Sequence, residues 1–281
     1  MQLHFTKMHG AGNDFIVIDG IHQDLSDINV AQWRFLADRQ FGIGADQILL
    51  IERPTRIDAD FKYRIINHDG SEVEQCGNGS RCFVRFVREK NLTAKKKISV
   101  EVAHTLLTLT EKEEGLVEVN MGKPILEYSL IPFNPHGLET SLDHHTYNYL
   151  LPTTQGSFWI TPISMGNPHA VQIVESVENA PVQSVGPLIE QHPSFPKKVN
   201  AGFLQVIDRQ TIQLRVFERG SGETLSCGTG ACAAVVAGIL RGVLDSPVLV
   251  HTHGGDLLIE WDFANQGKNA EVLMTGPATT V

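Results

Sequence analysis

Alternating apolar and polar residues, broken by glycine-bearing turns, recur along most of the chain, and two short stretches depart from that pattern by being apolar on nearly every side. Alternation with period two and short connections predicts strands of a mostly antiparallel sheet. Residues 98–124 (ISVEVAHTLLTLTEKEEGLVEVNMGKP) and 248–278 (VLVHTHGGDLLIEWDFANQGKNAEVLMTGPA) read this way, and both close on an alternating strand followed by Met, Gly and Pro. The two exceptions, 81–91 (RCFVRFVREKN) and 231–242 (ACAAVVAGILRG), have little or no polar face and predict buried helices.

These segments come in matched pairs. Sliding the chain by 151 residues lays YRIINHDGSEVEQCGNG (63–79) over LRVFERGSGETLSCGTG (214–230) without a gap, so that Arg64 falls on Arg215, Glu72 on Glu223, Cys76 on Cys227, Gly77 on Gly228 and Gly79 on Gly230. Upstream, KMHGAGNDFIVID (7–19) parallels ISMGNPHAVQIVE (163–175), and FGIGADQILLIE (41–52) more loosely parallels FPKKVNAGFLQVID (195–208). Each half therefore runs strand, Gly-Asn turn, helix, strand pair, cysteine loop, helix, strands. The expected class is α+β: two pseudo-symmetric domains, each a curved, mostly antiparallel sheet wrapped around one central helix. We expect the first at 1–128, with 275–281 returning to it, and the second at 129–274. Segment 131–152 reads as the crossover, and equivalent loops are expected to face each other across a cleft.

The chain has 281 residues, 42% hydrophobic and 20% charged, which is globular composition. A net charge of −9 and only short basic runs, Lys95–Lys97 and Lys197–Lys198, argue against a nucleic-acid partner. The first residues lack the charged and apolar regions of a signal peptide, and the longest apolar run, 231–240, is too short to cross a bilayer. Four cysteines are too few for a disulfide scaffold. The expectation is a cytoplasmic protein with reduced thiols and no membrane partner.

All four cysteines lie in the two matched loops, CGNGSRC (76–82) and CGTGAC (227–232). Cys76 and Cys227 each precede Gly-x-Gly and a helix, where unpaired N–H groups and the positive dipole end favour a thiolate and can lower its pKa. Two such thiols suit stereoinversion, one removing an α-proton from one face and the other delivering a proton to the opposite face. Since a general base contributes about 10²–10⁴-fold, the helix N-termini at Gly77-Asn78 and Gly228-Thr229 are recruited to hold the developing charge. His169 and Glu218 are candidates to tune a thiol. A cysteine-liganded zinc site is the reading from another class, but C-x₅-C and C-x₄-C differ from the usual C-x₂-C pairs. A redox pair lacks C-x-x-C, and neither glycine loop is a P-loop.

The motifs KMHGAGNDF (7–15), NHDGSEVEQCGNGSRC (67–82), MGNPH (165–169) and ERGSGETLSCGTGAC (218–232) together resemble the diaminopimelate epimerase family over residues 1–278. The wider superfamily includes proline racemases and hydroxyproline epimerases, which share paired cysteines and supply the alternative substrate class. The resemblance implies interconversion of L,L- and meso-diaminopimelate, in lysine and peptidoglycan biosynthesis, without pyridoxal phosphate, metal or other cofactor. It implies Cys76 and Cys227 as the acid/base pair, with Gly77, Asn78, Gly228 and Thr229 at the reacting end. Glu218 and Arg219 would give the charges for the distal end, and Asn13, Gln47, Asn67, Asn167 and Asn200 the amides. His169 and Glu218 would adjust thiol pKa. It also implies a homodimer, although relatives run on past the TGPA segment to an aromatic residue that helps dimerise and this sequence ends at Val281.

Overall fold

The structure, a computed structural model, describes residues 2–73, 77–103 and 105–281. The chain divides into two compact units, residues 1–120 with 275–281, and residues 121–274.

In the first unit β1 (Thr6–Gly10) and β2 (Asn13–Asp19) form a hairpin, then come α1 (Val30–Ala37), β3 (Gln47–Glu52), β4 (Phe61–Asn67), β5 (Glu72–Val73), α2 (Gly77–Glu89), β6 (Lys97–Val102), β7 (Thr105–Glu111) and β8 (Val117–Asn120). The β1–β2 turn has two residues, Ala11 at φ 52° and Gly12 at φ 84°. This positive-φ pair matches the twist of a tight hairpin. Strands β2–β3 and β4–β6 pair in parallel, and β1–β2, β3–β4, β4–β5, β6–β7 and β7–β8 are antiparallel. Successive side chains of a strand point to opposite faces, so β2 feeds two layers. Ile16 and Ile18 pack with Trp33 and Ala37 of α1, which starts on a reciprocal Asn29–Gln32 capping box. On the other face β4 meets the buried helix α2, where Tyr63 stacks on Phe83 at 5.3 Å and bonds Ser80 Oγ at 2.6 Å.

The second unit opens with a hairpin of β9 (Glu139–Asp143) and β10 (Thr146–Thr153), so the expected crossover segment forms paired strands of this unit. It continues with β11 (Gly156–Ser164), β12 (Pro168–Ile173), α3 (Val182–Glu190), β13 (Asn200–Asp208), β14 (Thr211–Glu218), β15 (Gly222–Thr224), α4 (Gly228–Leu240), β16 (Val248–Thr252), β17 (Gly255–Trp261), the single turn α5 (Phe263–Gln266) and β18 (Val272–Gly276). Strands β11 to β17 repeat the connectivity of β1 to β7, with β12–β13 and β14–β16 as the parallel pairs. Helix α3 covers one face with Val182, Val185 and Ile189 against Phe203 and Phe217. Helix α4 packs against β11, β12, β13, β14 and β17. Its alanines and valines at 231–237 are buried, as an all-round apolar helix requires. Beyond β18 the chain returns to the first unit, where β19 (Thr279–Thr280) pairs with β1. Among the described residues no helix is long and apolar enough to cross a membrane, which says nothing of strands.

Candidate active site

The parallel strand pair fixes one rung of side chains in each unit. In the second unit β12 and β13 align His169 with Asn200, and β13–β14 pairing from Ala201–Phe217 onward sets Asn200 beside Glu218. In the first, β2, β3 and β4 align Phe15, Gln47 and Asn67. The repeat thus matches Phe15 with His169, Gln47 with Asn200 and Asn67 with Glu218. One rung is neutral, and the other carries two ionisable groups.

Beside the second rung, Cys227 takes the N-cap position of α4 in extended conformation, its carbonyl accepting from Ala231 N at 2.9 Å. Gly228 and Thr229 open the helix. Gly230 is there for the thiol itself: a Cβ at this position would lie 3.2 Å from Cys227 Sγ and 3.0 Å from Val216 Cγ2. Thr229 Oγ1 lies 3.5 Å from Cys227 Sγ and 3.1 Å from His169 Nε2, and Nε2 also reaches Asn167 Oδ1 at 3.2 Å. An Nε2–H donating to Asn167 and Thr229 leaves the Thr229 hydroxyl proton for sulfur. On the other side the Glu218 carboxyl accepts from Thr224 Oγ1, and its charge acts on the thiol. Cys227, His169, Thr229, Asn167 and Glu218 are one connected cluster.

The electrostatics differ from the sequence expectation of a thiol lowered by a helix N-terminus. Cys227 is 5% exposed, and burial pushes its pKa well above the ordinary range, with the Glu218 carboxylate adding to the rise. The Thr229 hydroxyl and the Gly230 N–H pull the other way without reversing it. Desolvation of the charged form outweighs the dipole. Burial likewise raises Glu218, against bonds from Thr224 and Cys227 that lower it. Burial, then the charge of Arg219, drives His169 from 6.5 down to about 3. Its Nδ1 is buried with no partner among the described residues. Folded His169 thus stays neutral where an unfolded histidine is charged. Stability from this residue is complete above about 6.5 and falls as pH drops toward about 3, by up to about 1.4 kcal/mol per unit. His169→Phe, which installs the residue of the matched first-unit position, is expected to remove that slope. Urea unfolding of both proteins from pH 4 to 7 checks this, and parallel curves would refute it.

Asn200 sits on the rung, but its amide is engaged. Nδ2 donates to Pro168 O at 2.9 Å, and Oδ1 accepts from Arg219 N at 2.8 Å. Arg219 is exposed, with Nη1 donating to Lys197 O at 3.0 Å.

In the first unit Cys76 lies outside the described residues, and Gly77 and Asn78 begin the buried α2. Asn78 Nδ2 donates to Asn13 Oδ1 at 3.4 Å, and Asn13 Nδ2 donates to Asp46 Oδ2 at 2.9 Å. Gln47 Nε2 donates to Asn67 Oδ1 at 2.9 Å, leaving a buried Gln47 Oε1 with no partner among the described residues. The structure thus joins Asn13 to Asn78 and Gln47 to Asn67. It also adds residues that sequence reasoning passed over. Asp46 orients Asn13. Arg81, fully buried, donates from Nη2 to Asn78 Oδ1 at 2.8 Å. Thr224 holds Glu218. The signal for Arg81 was available, since an arginine inside a buried helix needs dedicated acceptors.

A model of the family described as Diaminopimelate epimerase matches residues 5–127 and 161–281. The chain belongs to the diaminopimelate epimerase family. Curated relatives named diaminopimelate epimerase agree over all 281 residues: 62% identity in Cupriavidus pinatubonensis strain JMP 134, covering 96% of that protein, and 57% in Burkholderia thailandensis strain E264, covering 97%. Among solved structures, a PhzF-family phenazine biosynthesis protein from Bacillus anthracis superposes with TM-score 0.70 at 15% identity, over 100% of this chain and 98% of its own. A probable proline racemase from Agrobacterium radiobacter K84 gives 0.69 at 18%, over 100% and 91%. These two likenesses support the α+β fold expected of the diaminopimelate epimerase family, and they speak to fold alone.

Proposed function

We propose that this protein is a cofactor-independent epimerase that interconverts L,L- and meso-diaminopimelate by proton transfer at one α-carbon. The observation that carries the reading is Cys227 at the head of α4, in contact with the Thr229 hydroxyl that His169 also holds. Family membership supplies the substrate, and the cluster supplies a group able to hold and release a proton.

Inversion needs one group to take the α-proton and a second to return a proton to the other face. Cys227 is assigned one role and Cys76, its counterpart in the repeat, the other. A thiolate accepts the α-proton, the electron pair moves into the carboxylate as an enediolate, and the opposite thiol protonates carbon. Burial and Glu218 hold Cys227 as the thiol, the form that donates. The Glu218 charge favours that protonated form, and His169, neutral, holds Thr229 in place for sulfur. The N–H groups at the starts of α2 and α4 lie at Gly77-Asn78 and Gly228-Thr229, where an anionic carboxylate is favoured. The bare Gln47 Oε1 suits an ammonium group, and Arg219 and Asn67 are assigned with it to the distal amino-acid end. Cytoplasmic location and a homodimer complete the proposal.

Proton NMR of L,L-diaminopimelate in D₂O with reduced, metal-chelated protein tests it. Loss of the α-proton signal with appearance of deuterated meso product is expected, with proline and hydroxyproline unchanged. No exchange on diaminopimelate would overturn the substrate assignment, and exchange on proline would favour the racemase branch.

A further inference from the structure

The turn between β14 and β15, Glu218–Gly222, displays Arg219, and it is tied down at every residue that matters for its shape. Ser221 N donates to Glu218 O at 3.1 Å, closing the turn. Arg219 N is held by Asn200 Oδ1 at 2.8 Å. Gly220 N donates to Glu190 Oε1 at 2.9 Å. Glu190 is the last residue of α3, and its side chain is 7% exposed, with Lys198 Nζ 3.6 Å away. Its own carbonyl accepts from Val199 N at 3.1 Å. A carboxylate so far removed from water is unfavourable unless it is bonded and paired. The packing of α3 does not require it there, because Val182, Val185 and Ile189 already fill the core.

The first unit holds its equivalent turn, Asn67–Ser71, from the equivalent helix with the opposite charge. Arg34 of α1 donates from Nε to Asp69 O. The turn that carries Asp69 is held by a cation, and the turn that carries Arg219 by an anion.

We propose that Glu190 is a positioning residue for substrate recognition: it sets the backbone of the 218–222 turn so that Arg219 is presented to the substrate's distal end. This rests on the assignment of Arg219 to that end. A carboxylate at this place bonds the Gly220 N–H and pairs with Lys198, and an oxygen acceptor alone retains the first of these.

Steady-state kinetics on L,L-diaminopimelate with thermal unfolding, for Glu190→Ala, Glu190→Asp, Glu190→Gln, Arg219→Ala and the Glu190→Ala/Arg219→Ala pair, provide the test. Glu190→Ala and Glu190→Asp, which remove or withdraw the acceptor, are expected to raise KM about tenfold, the scale of one lost hydrogen bond to a charged group, with kcat within about threefold. Glu190→Gln keeps an acceptor oxygen and is expected to stay within about threefold of wild-type KM by the same scale. The double variant is expected to match Arg219→Ala alone. A lower Tm with unchanged KM in Glu190→Ala would make the residue structural and overturn the proposal, as would an effect that multiplies fully with that of Arg219→Ala. Should the alanine variant not fold, equal KM values for the Asp and Gln variants overturn it. If Arg219→Ala itself leaves KM unchanged, the assignment of Arg219 has failed, and the proposal falls with it for that separate, visible reason.

Discussion

Cys227→Ala is expected to lower kcat for epimerisation by at least about 10³-fold, within the range that a positioned acid or base supplies. The substitution removes one buried sulfur and leaves the neighbouring Gly230 and Val216 in place, so folding should survive. The informative readout is exchange measured separately from inversion. A protein that has lost one of two acid/base groups can still remove a proton from one face and return it there. Cys227→Ala is therefore expected to wash deuterium into one epimer of diaminopimelate without producing the other. Cys227→Ser should behave alike, because a hydroxyl is a far weaker acid than a thiol. Turnover above about a tenth of wild type in the alanine variant, against the loss expected for a general acid or base, would remove Cys227 from the reaction.

Arg81→Leu is expected to be the most destabilising single change in the first unit. The guanidinium is fully buried and donates to Asn78 Oδ1 at 2.8 Å and to Pro277 O at 3.0 Å. Leucine fills part of the volume but leaves both acceptors without this donor. Each buried acceptor left without a donor costs about 1–3 kcal/mol. A fall in Tm of roughly 10 °C follows for a chain of this size. Arg81→Lys keeps the charge and loses the fork, so it should recover only part of the loss. A Tm within about 2 °C of wild type for Arg81→Leu, well short of the shift expected from that cost, would show that the acceptors find other donors.

The internal repeat made the fold legible, because the same alternation, turn and buried helix occur twice and each copy checks the other. The buried helices α2 and α4 were legible for the same reason. What the linear pattern could not convey is which residues share a rung. Gln47 and Asn67, or His169 and Asn200, are far apart in the chain and meet only through strand register. The direction of the Cys227 shift was also hidden. A helix N-terminus is visible in a sequence, whereas the desolvation that outweighs it depends on strands folded around the thiol. That Asn200 bonds Pro168 and the Arg219 N–H was equally invisible, because those partners meet it only in the fold. Asp46 and Glu190 act on other residues, and no motif marks such indirect roles.

The return of residues 275–281 to the first unit has a consequence for synthesis. β19 supplies a neighbour to β1, and Pro277 supplies a carbonyl to the buried Arg81. A growing chain emerges from the ribosome amino end first, so Arg81 is made nearly two hundred residues before one of its acceptors exists. The second unit, continuous from 121 to 274, has all its residues before that point. Domains of most chains fold in the order in which they are made. Here the part translated first is the part completed last, and its nascent form lacks the Pro277 acceptor of an interior cation until the final segment arrives.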